Sequence, residues 1–217
     1  MLPKQIPKVK KACVFIDYAN VKSSVRYLHK YIDLESLYNY LKQYKYISSI
    51  NIYYGTDTRN DKSYKFINWL RNTGYKVTTK KVKYIKIDIE EIFSNKINTK
   101  IFSQLNKRVV KSFLLELKKL KSTRKFFEIP KCNLDVEIAL DMFKMLKTYD
   151  CYILFSGDSD FSPIIDLAKE RKIFIVIVSL KRFLSSELCR KANLLIDLED
   201  LLLNSNLTIK KTRGYTP

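Results

Sequence analysis

Apolar runs of strand length alternate along the chain with stretches whose apolar residues recur every three or four positions. The first run, residues 12–16, stops abruptly at Asp17, as a buried strand ending in a carboxylate would. Asp33 suits the cap of a helix over 34–44, and 47–54 reads as a second strand followed by the turn Gly55, Thr56, Asp57. A helix over about 61–72 closes at Gly74, where a left-handed cap costs no Cβ clash. Alternation over 75–84 marks a third strand.

From about 86 to 131 that rhythm breaks, and no clean strand is evident before Cys151. We read this stretch as an insertion. Within it Val110, Phe113, Leu114 and Leu117 follow i, i+3, i+4, i+7 spacing, while Lys107, Arg108, Lys111, Lys118, Lys119 and Lys121 supply a basic flank. The alternation resumes with a helix over 134–147, a strand over 151–156 and a helix starting near Ser162 and Pro163, the serine as N-cap and the proline at the first helical position. Residues 174–178 are the most apolar strand, and two short segments, 185–192 and 194–198, complete the domain. The expected plan is a basic lead over 1–11, one domain over 12–200 interrupted at about 86–131, and a tail over 201–217. Strands alternating with helices imply right-handed crossovers and an α/β fold, with a mainly parallel sheet covered on both faces.

Charge narrows the partners. The formal net charge of +19 favours polyanions or anionic membranes, although a chain rich in Lys, Ile, Asn and Tyr owes part of it to composition. Residues 76–131 hold sixteen Lys or Arg against five Asp or Glu. That quarter is a solvated helical cover, a nucleic-acid-facing lobe or a membrane-surface helix. Glycine occurs only at 55, 74, 157 and 214, which removes both glycine-rich phosphate cradles. The lone His29 has no triad partners and no second histidine for zinc, and reads as a helix-surface residue. Cys13, Cys132, Cys151 and Cys189 form no CxxC pair and read as reduced, mostly buried thiols of a cytoplasmic protein. The apolar run near the start is too short for a signal peptide, and no stretch is long enough to span a bilayer; for the basic quarter a nucleic acid is favoured over a membrane surface, so no membrane partner is expected.

Acid gathers against this basic background. Residues 133–170 contain eight Asp or Glu and only three Lys or Arg. Asp17 ends the first strand and Asp158 ends the strand after the insertion; in an open parallel sheet, ligands bind beyond strand carboxyl ends where strand order reverses. If the two strands are neighbours there, their carboxylates converge, with Asp135 and the neutral oxygen of Asn20 able to join them. Crowded carboxylates call for a hard divalent cation with oxygen ligands, Mg²⁺ or Mn²⁺, which can polarise a phosphodiester and activate water. Each acid has a plainer reading too: Asp17 as an N-cap, Asp158 and Asp160 as a turn into the next helix, and Asp135 as a helix-dipole charge. Asp141 is rotated about 120° from Asp135 on a helix and ranks second. Asp57 stays in play, and Tyr18, Tyr54 and Phe161 flank the expected notch as stacking candidates, with core packing the better reading of Phe161.

Three blocks then carry a resemblance: Val14-Phe15-Ile16-Asp17-Tyr18-Ala19-Asn20, Leu134-Asp135-Val136-Glu137-Ile138-Ala139-Leu140-Asp141, and Leu154-Phe155-Ser156-Gly157-Asp158-Ser159-Asp160-Phe161. In order and context they resemble the signature blocks of the NYN domain family, within the PIN-like nuclease superfamily, and the stretch 185–198 is similar to its closing block. The resemblance implies a three-layer α/β/α domain with a parallel sheet and a metal-dependent endoribonuclease activity; the partners we expect are single-stranded RNA and a second copy of the chain in a homodimer. Position by position it puts Asp17, Asp135, Asp158 and Asp160 on the family's catalytic and metal-site acids, Asp141 on its second helix acid and Asn20 on its strand-one asparagine. There are two departures. Cys132, Asn133 and Leu134 stand where a Lys-Gly pair commonly precedes the helix acid, and Ala192-Asn193 replaces a late Ala-Asp pair.

A binding module that keeps the fold and grips RNA without turnover is the rival reading, though crowding four acids would then have no electrostatic purpose. A haloacid-dehalogenase-like phosphatase needs an acid two residues after its nucleophile, where this chain has Ala19.

Overall fold

β1 (Ala12–Asp17) is buried at every position but its last, because strands hydrogen-bond to it on both sides. The computed structural model describes residues 2–4, 6, 8–88, 106–123, 126–205 and 207. Its neighbours are β2 (Ile47–Thr56), in register with Asp17 opposite Tyr53, and β6 (Cys151–Phe155), with Ile16 opposite Phe155. With β3 (Lys76–Lys81), β7 (Phe174–Ser179) and β8 (Leu194–Asp197) they form a six-stranded sheet of order β3-β2-β1-β6-β7-β8, parallel throughout. The chain builds outward from β1 to β3, then returns to lay β6 on the other side of β1. Strand order therefore reverses between β1 and β6.

Period-two alternation sorts the sheet's side chains onto two faces. Ala12, Val14 and Ile16 face one way and pack in a single core with Val21 and Val25 of α1 (Tyr18–Tyr27), Leu37 and Leu41 of α2 (Leu34–Lys42), and Leu70 of α3 (Asp61–Thr73). Cys13 and Phe15 face the other way. On that side the Phe15 ring meets Tyr152 edge-on at 5.1 Å, and the Tyr152 hydroxyl donates to the Met142 carbonyl at 2.7 Å. Met142 belongs to α5 (Asp135–Lys144), whose Ile138 is also fully buried. α6 (Ser162–Glu170) and α7 (Ser186–Lys191) pack on β7. A buried side chain of this size contributes roughly 1.5–3 kcal/mol, so both faces matter to the fold. The architecture is the expected three-layer α/β/α.

Residues 82–132 form a second compact unit between β3 and α5 in sequence. It contains β4 (Lys83–Asp88) paired antiparallel with β5 (Phe126–Lys131), and α4 (Lys107–Thr123) between them in sequence. The continuous strand expected over 75–84 thus divides after Lys81, and two strands lie in the stretch that reads as strandless. Lys83 and Lys86 bracket the apolar pair of β4, and Pro130 sits within β5, so neither segment reads as a strand. On α4, Val110 is half-buried and Phe113 is exposed, while the side chains of Leu114 and Leu117 lie outside the described ones.

Smaller departures have local causes. His29 lies just past α1 in a left-handed turn at φ 52°, not on a helix surface. Ser162 is already helical and its hydroxyl donates to Glu187, so it does not cap α6. Cys13 and Cys151 are buried, Cys132 is half-buried and Cys189 is exposed. In α8 (Leu198–Asn204), Leu201 and Leu202 are buried in the core, so packing continues past residue 200; residues 208–217 of the expected tail lie outside the described ones.

Candidate metal centre

Asp17 leaves β1 and caps α1, its Oδ1 accepting the Asn20 N–H at 3.1 Å. Its Oδ2 accepts from the Ser156 hydroxyl at 3.3 Å, one step past the last β1–β6 pair. The same Ser156 Oγ accepts the Asp158 N–H at 3.3 Å, so one serine ties the two strand ends together across the switch point. Asp158 then caps a short 3₁₀ turn, Ser159–Phe161, with its Oδ1 taking the Asp160 N–H at 3.0 Å. The plainer capping readings of Asp17 and Asp158 are therefore real, and they aim both side chains toward the sheet's carboxyl end.

Asp135 arrives from the other direction, in the first turn of α5. Its N–H donates to Asn133 Oδ1 at 2.8 Å. The helix start is also tethered to the sheet: Lys80, near the end of β3, donates to the Asn133 carbonyl at 3.0 Å and pairs with Glu137 at 2.8 Å. The result brings one carboxylate oxygen each from Asp135, Asp158 and Asp160 within 4.8 Å of one another. Oxygen ligands around Mg²⁺ sit at about 2.1 Å, so opposite ligands are about 4.2 Å apart, on the scale of the spread of these three oxygens. The donors are hard oxygens without histidine or thiolate, which fits Mg²⁺ or Mn²⁺ and not zinc.

Asp17 stands beside this trio. Burial raises its carboxyl, opposed by the Asn20 N–H and reinforced by the charge of Asp135. Burial also raises Asp135, opposed by the Asn133 hydrogen bond and reinforced by Asp158, Asp160 and Glu137. Ionising such groups works against the fold: the penalty is absent below the ordinary value of 3.8 and grows as pH rises through the elevated ones. In EDTA the melting temperature should therefore fall as pH rises above the ordinary value of 3.8, less steeply in Asp135→Asn. Saturating Mn²⁺ should reverse the loss near neutrality, by about 2.7 kcal/mol at a hundredfold excess over Kd. Thermal melts with and without Mn²⁺ check both; a melting temperature indifferent to Mn²⁺ would count against cation binding.

The remaining sequence candidates divide. Asp141 accepts from the Tyr53 hydroxyl at 3.0 Å and from Lys144 at 3.3 Å, and it is not among the converging trio. Asn20 contributes its backbone N–H to Asp17. Asp57 Oδ1 takes the Arg59 N–H in the turn after β2. Phe161 is fully buried, whereas Tyr18 and Tyr54 are half-buried with rings 5.5 Å apart. Asn193 accepts the Ile175 N–H at 2.8 Å and so serves the fold. Arg108, Lys111 and Lys119 are exposed on α4, and the side chains of Lys107, Lys118 and Lys121 lie outside the described ones. Four contributors, Ser156, Asn133, Lys80 and Glu137, do not stand out as site residues in the sequence. Ser156 lies inside the third signature block, where its neighbour Gly157 marks a tight approach; the Lys80–Glu137 pair has no local signal.

An open parallel sheet with carboxylates gathered at its switch point defines a doubly wound α/β domain carrying an acidic, oxygen-donor centre. The family model described as NYN domain matches residues 11–105 and 98–199, and the chain belongs to that family. A segment of 71 residues is 39% identical to the low amplitude and bright protein LabA of Synechococcus elongatus (strain ATCC 33912 / PCC 7942 / FACHB-805), covering 33% of this chain and 38% of that protein. The chain thus matches well under half the length of this curated relative. A crystal structure of a protein of unknown function from Vibrio parahaemolyticus superposes with a TM-score of 0.59 at 20% identity, over 90% of this chain and 97% of the other, and shares the fold.

Proposed function

We propose that the protein is a metal-dependent endoribonuclease that hydrolyses phosphodiester bonds of single-stranded RNA. The observation that carries this reading is the meeting of Asp135, Asp158 and Asp160 at the β1–β6 switch point of a chain with net charge +19. Membership of a family whose members are generally ribonucleases supports it. A bound Mg²⁺ or Mn²⁺ would supply Lewis-acid polarisation of a phosphodiester oxygen and a nucleophilic water at neutral pH. Asp135, Asp158 and Asp160 would hold that cation. Asp17, fixed by Asn20 and Ser156, deepens the negative notch and directs the cation toward the strand ends. Asp141, engaged by Tyr53 and Lys144, stays in a supporting role.

The exposed cations of α4 would grip the RNA backbone. Neutralising Arg108, Lys111 and Lys119 should weaken binding and flatten its dependence on salt, by roughly 0.7 in log–log slope for each phosphate left without its cation. Binding isotherms at several salt concentrations measure this; an unchanged slope would assign the helix to scaffolding. The four cysteines, present as thiols, suit a reducing compartment such as the cytoplasm, and among the described residues no helix is long and apolar enough to cross a membrane. The direct test is cleavage of end-labelled RNA by purified protein in EDTA, Mg²⁺ or Mn²⁺. Cations that restore cleavage support the hydrolase; RNA binding without turnover under every condition would leave a binding module.

A further inference from the structure

A run of aromatic rings starts beside the acidic notch and leads away from it. Tyr18 follows Asp17 directly, and Tyr54 follows Tyr53, the register partner of Asp17 on β2. Their rings lie 5.5 Å apart, and Phe66 of α3 touches both, 5.7 Å from Tyr18 and 5.0 Å from Tyr54. Trp69, one turn further along α3, stacks on Phe66 at 5.7 Å with only 25° between the planes. The inner three rings are half-buried, while Trp69 is 38% exposed and Tyr64, on the same helix, is 49% exposed.

Core packing accounts for Tyr18 and Phe66, and Tyr54 packs against both of those rings. It does not account for an indole left at the surface, laid flat on the next ring of a continuous series. The elements that carry these rings are cationic: Lys22 of α1 is exposed, as are Arg59, Lys62 and Lys65, and α3 carries Lys62, Lys65 and Arg71 against the single acid Asp61. Aromatic faces interleaved with positive charge suit a single-stranded polynucleotide, whose bases are free to stack while its phosphates meet the cations. A duplex hides its base faces within its own stack.

We propose that Trp69, backed by Phe66, is the outer rung of a base-stacking track that leads single-stranded RNA to the acidic notch, with Tyr64 beside it. The track names the substrate class for the nuclease reading and rests on it, but base stacking needs no catalysis, so the two can fail separately.

Trp69 is the chain's one tryptophan, so its emission reports the rung directly. In EDTA, titrating the full-length protein with a single-stranded RNA oligonucleotide should quench that emission saturably, and a blunt RNA duplex at equal phosphate concentration should not. Trp69→Ala should weaken single-strand binding about fivefold or more, as loss of one stacked base implies, with Trp69→Phe recovering most of it. Far-UV circular dichroism confirms that both variants fold. Oligonucleotide that binds by fluorescence anisotropy without changing Trp69 emission, or that binds Trp69→Ala as tightly as the unmodified protein, overturns the track. Quenching without cation-dependent cleavage would keep the track and remove the hydrolase; cleavage with unaltered emission would do the reverse.

Discussion

Asp158→Asn is expected to reduce cation-dependent RNA cleavage by roughly a hundredfold or more, the scale on which removing one preorganised electrostatic interaction with a transition state is felt. The substitution is close to isosteric. An asparagine oxygen can still accept the Asp160 N–H, and the backbone N–H can still donate to Ser156, so the turn should survive. What disappears is one negative charge from the group formed with Asp135 and Asp160. Relief of repulsion should leave RNA binding intact or tighter. Single-turnover cleavage read beside anisotropy in EDTA separates the two quantities. Cleavage at the unmodified rate would take Asp158 out of the site, whereas loss of cleavage together with a lowered melting temperature would point to the fold. Asp141→Asn is the natural contrast, because its carboxylate already serves Tyr53 and Lys144 and its loss should cost far less activity.

The second large effect is expected at Gly157. Its φ lies outside the left-handed region, so backbone freedom is not what the position requires. Space is. A Cβ there would fall on the Phe183 carbonyl oxygen and lie 2.6 Å from Ser179 Oγ, while the Gly157 carbonyl accepts the Ser185 N–H at 3.0 Å. The chain between β7 and α7 therefore presses directly on the end of β6. A backbone carbonyl cannot rotate away as a side chain can, so Gly157→Ala should destabilise the protein by about 3 kcal/mol or more, the upper end of overpacking costs. Urea melts measure that loss. Since Asp158 is the next residue, the displaced backbone should also misplace its carboxylate, and cleavage should fall below what the unfolded fraction explains. A neutral Gly157→Ala would mean that the 181–185 segment yields.

Much of this is legible in the chain. Strands such as Ala12–Asp17 and Phe174–Ser179 declare themselves because a strand buried on both faces must be apolar at nearly every position. Gly74 announces its cap, and the structure gives it φ 111°. The two acid-ended strands are legible too, but their convergence is only a condition in the sequence, met because β1 and β6 pair directly. The failures share a cause, which is that a long-range partner leaves no trace in local pattern. β4 and β5 support each other across some forty residues; alone, β4 carries two lysines among its six residues and β5 holds Pro130, so neither declares itself. Ser162 looks like a cap because serine before proline usually is one, yet Glu187 and Lys191, distant in sequence, claim its hydroxyl. Lys80 reads as one more surface cation until α5 is laid against the sheet.

The pairing of Lys83 with Lys131 has a consequence for how such a protein changes over time. The segment between them starts and ends side by side, so its length can change at little entropic cost, each doubling adding only about 0.6 kcal/mol.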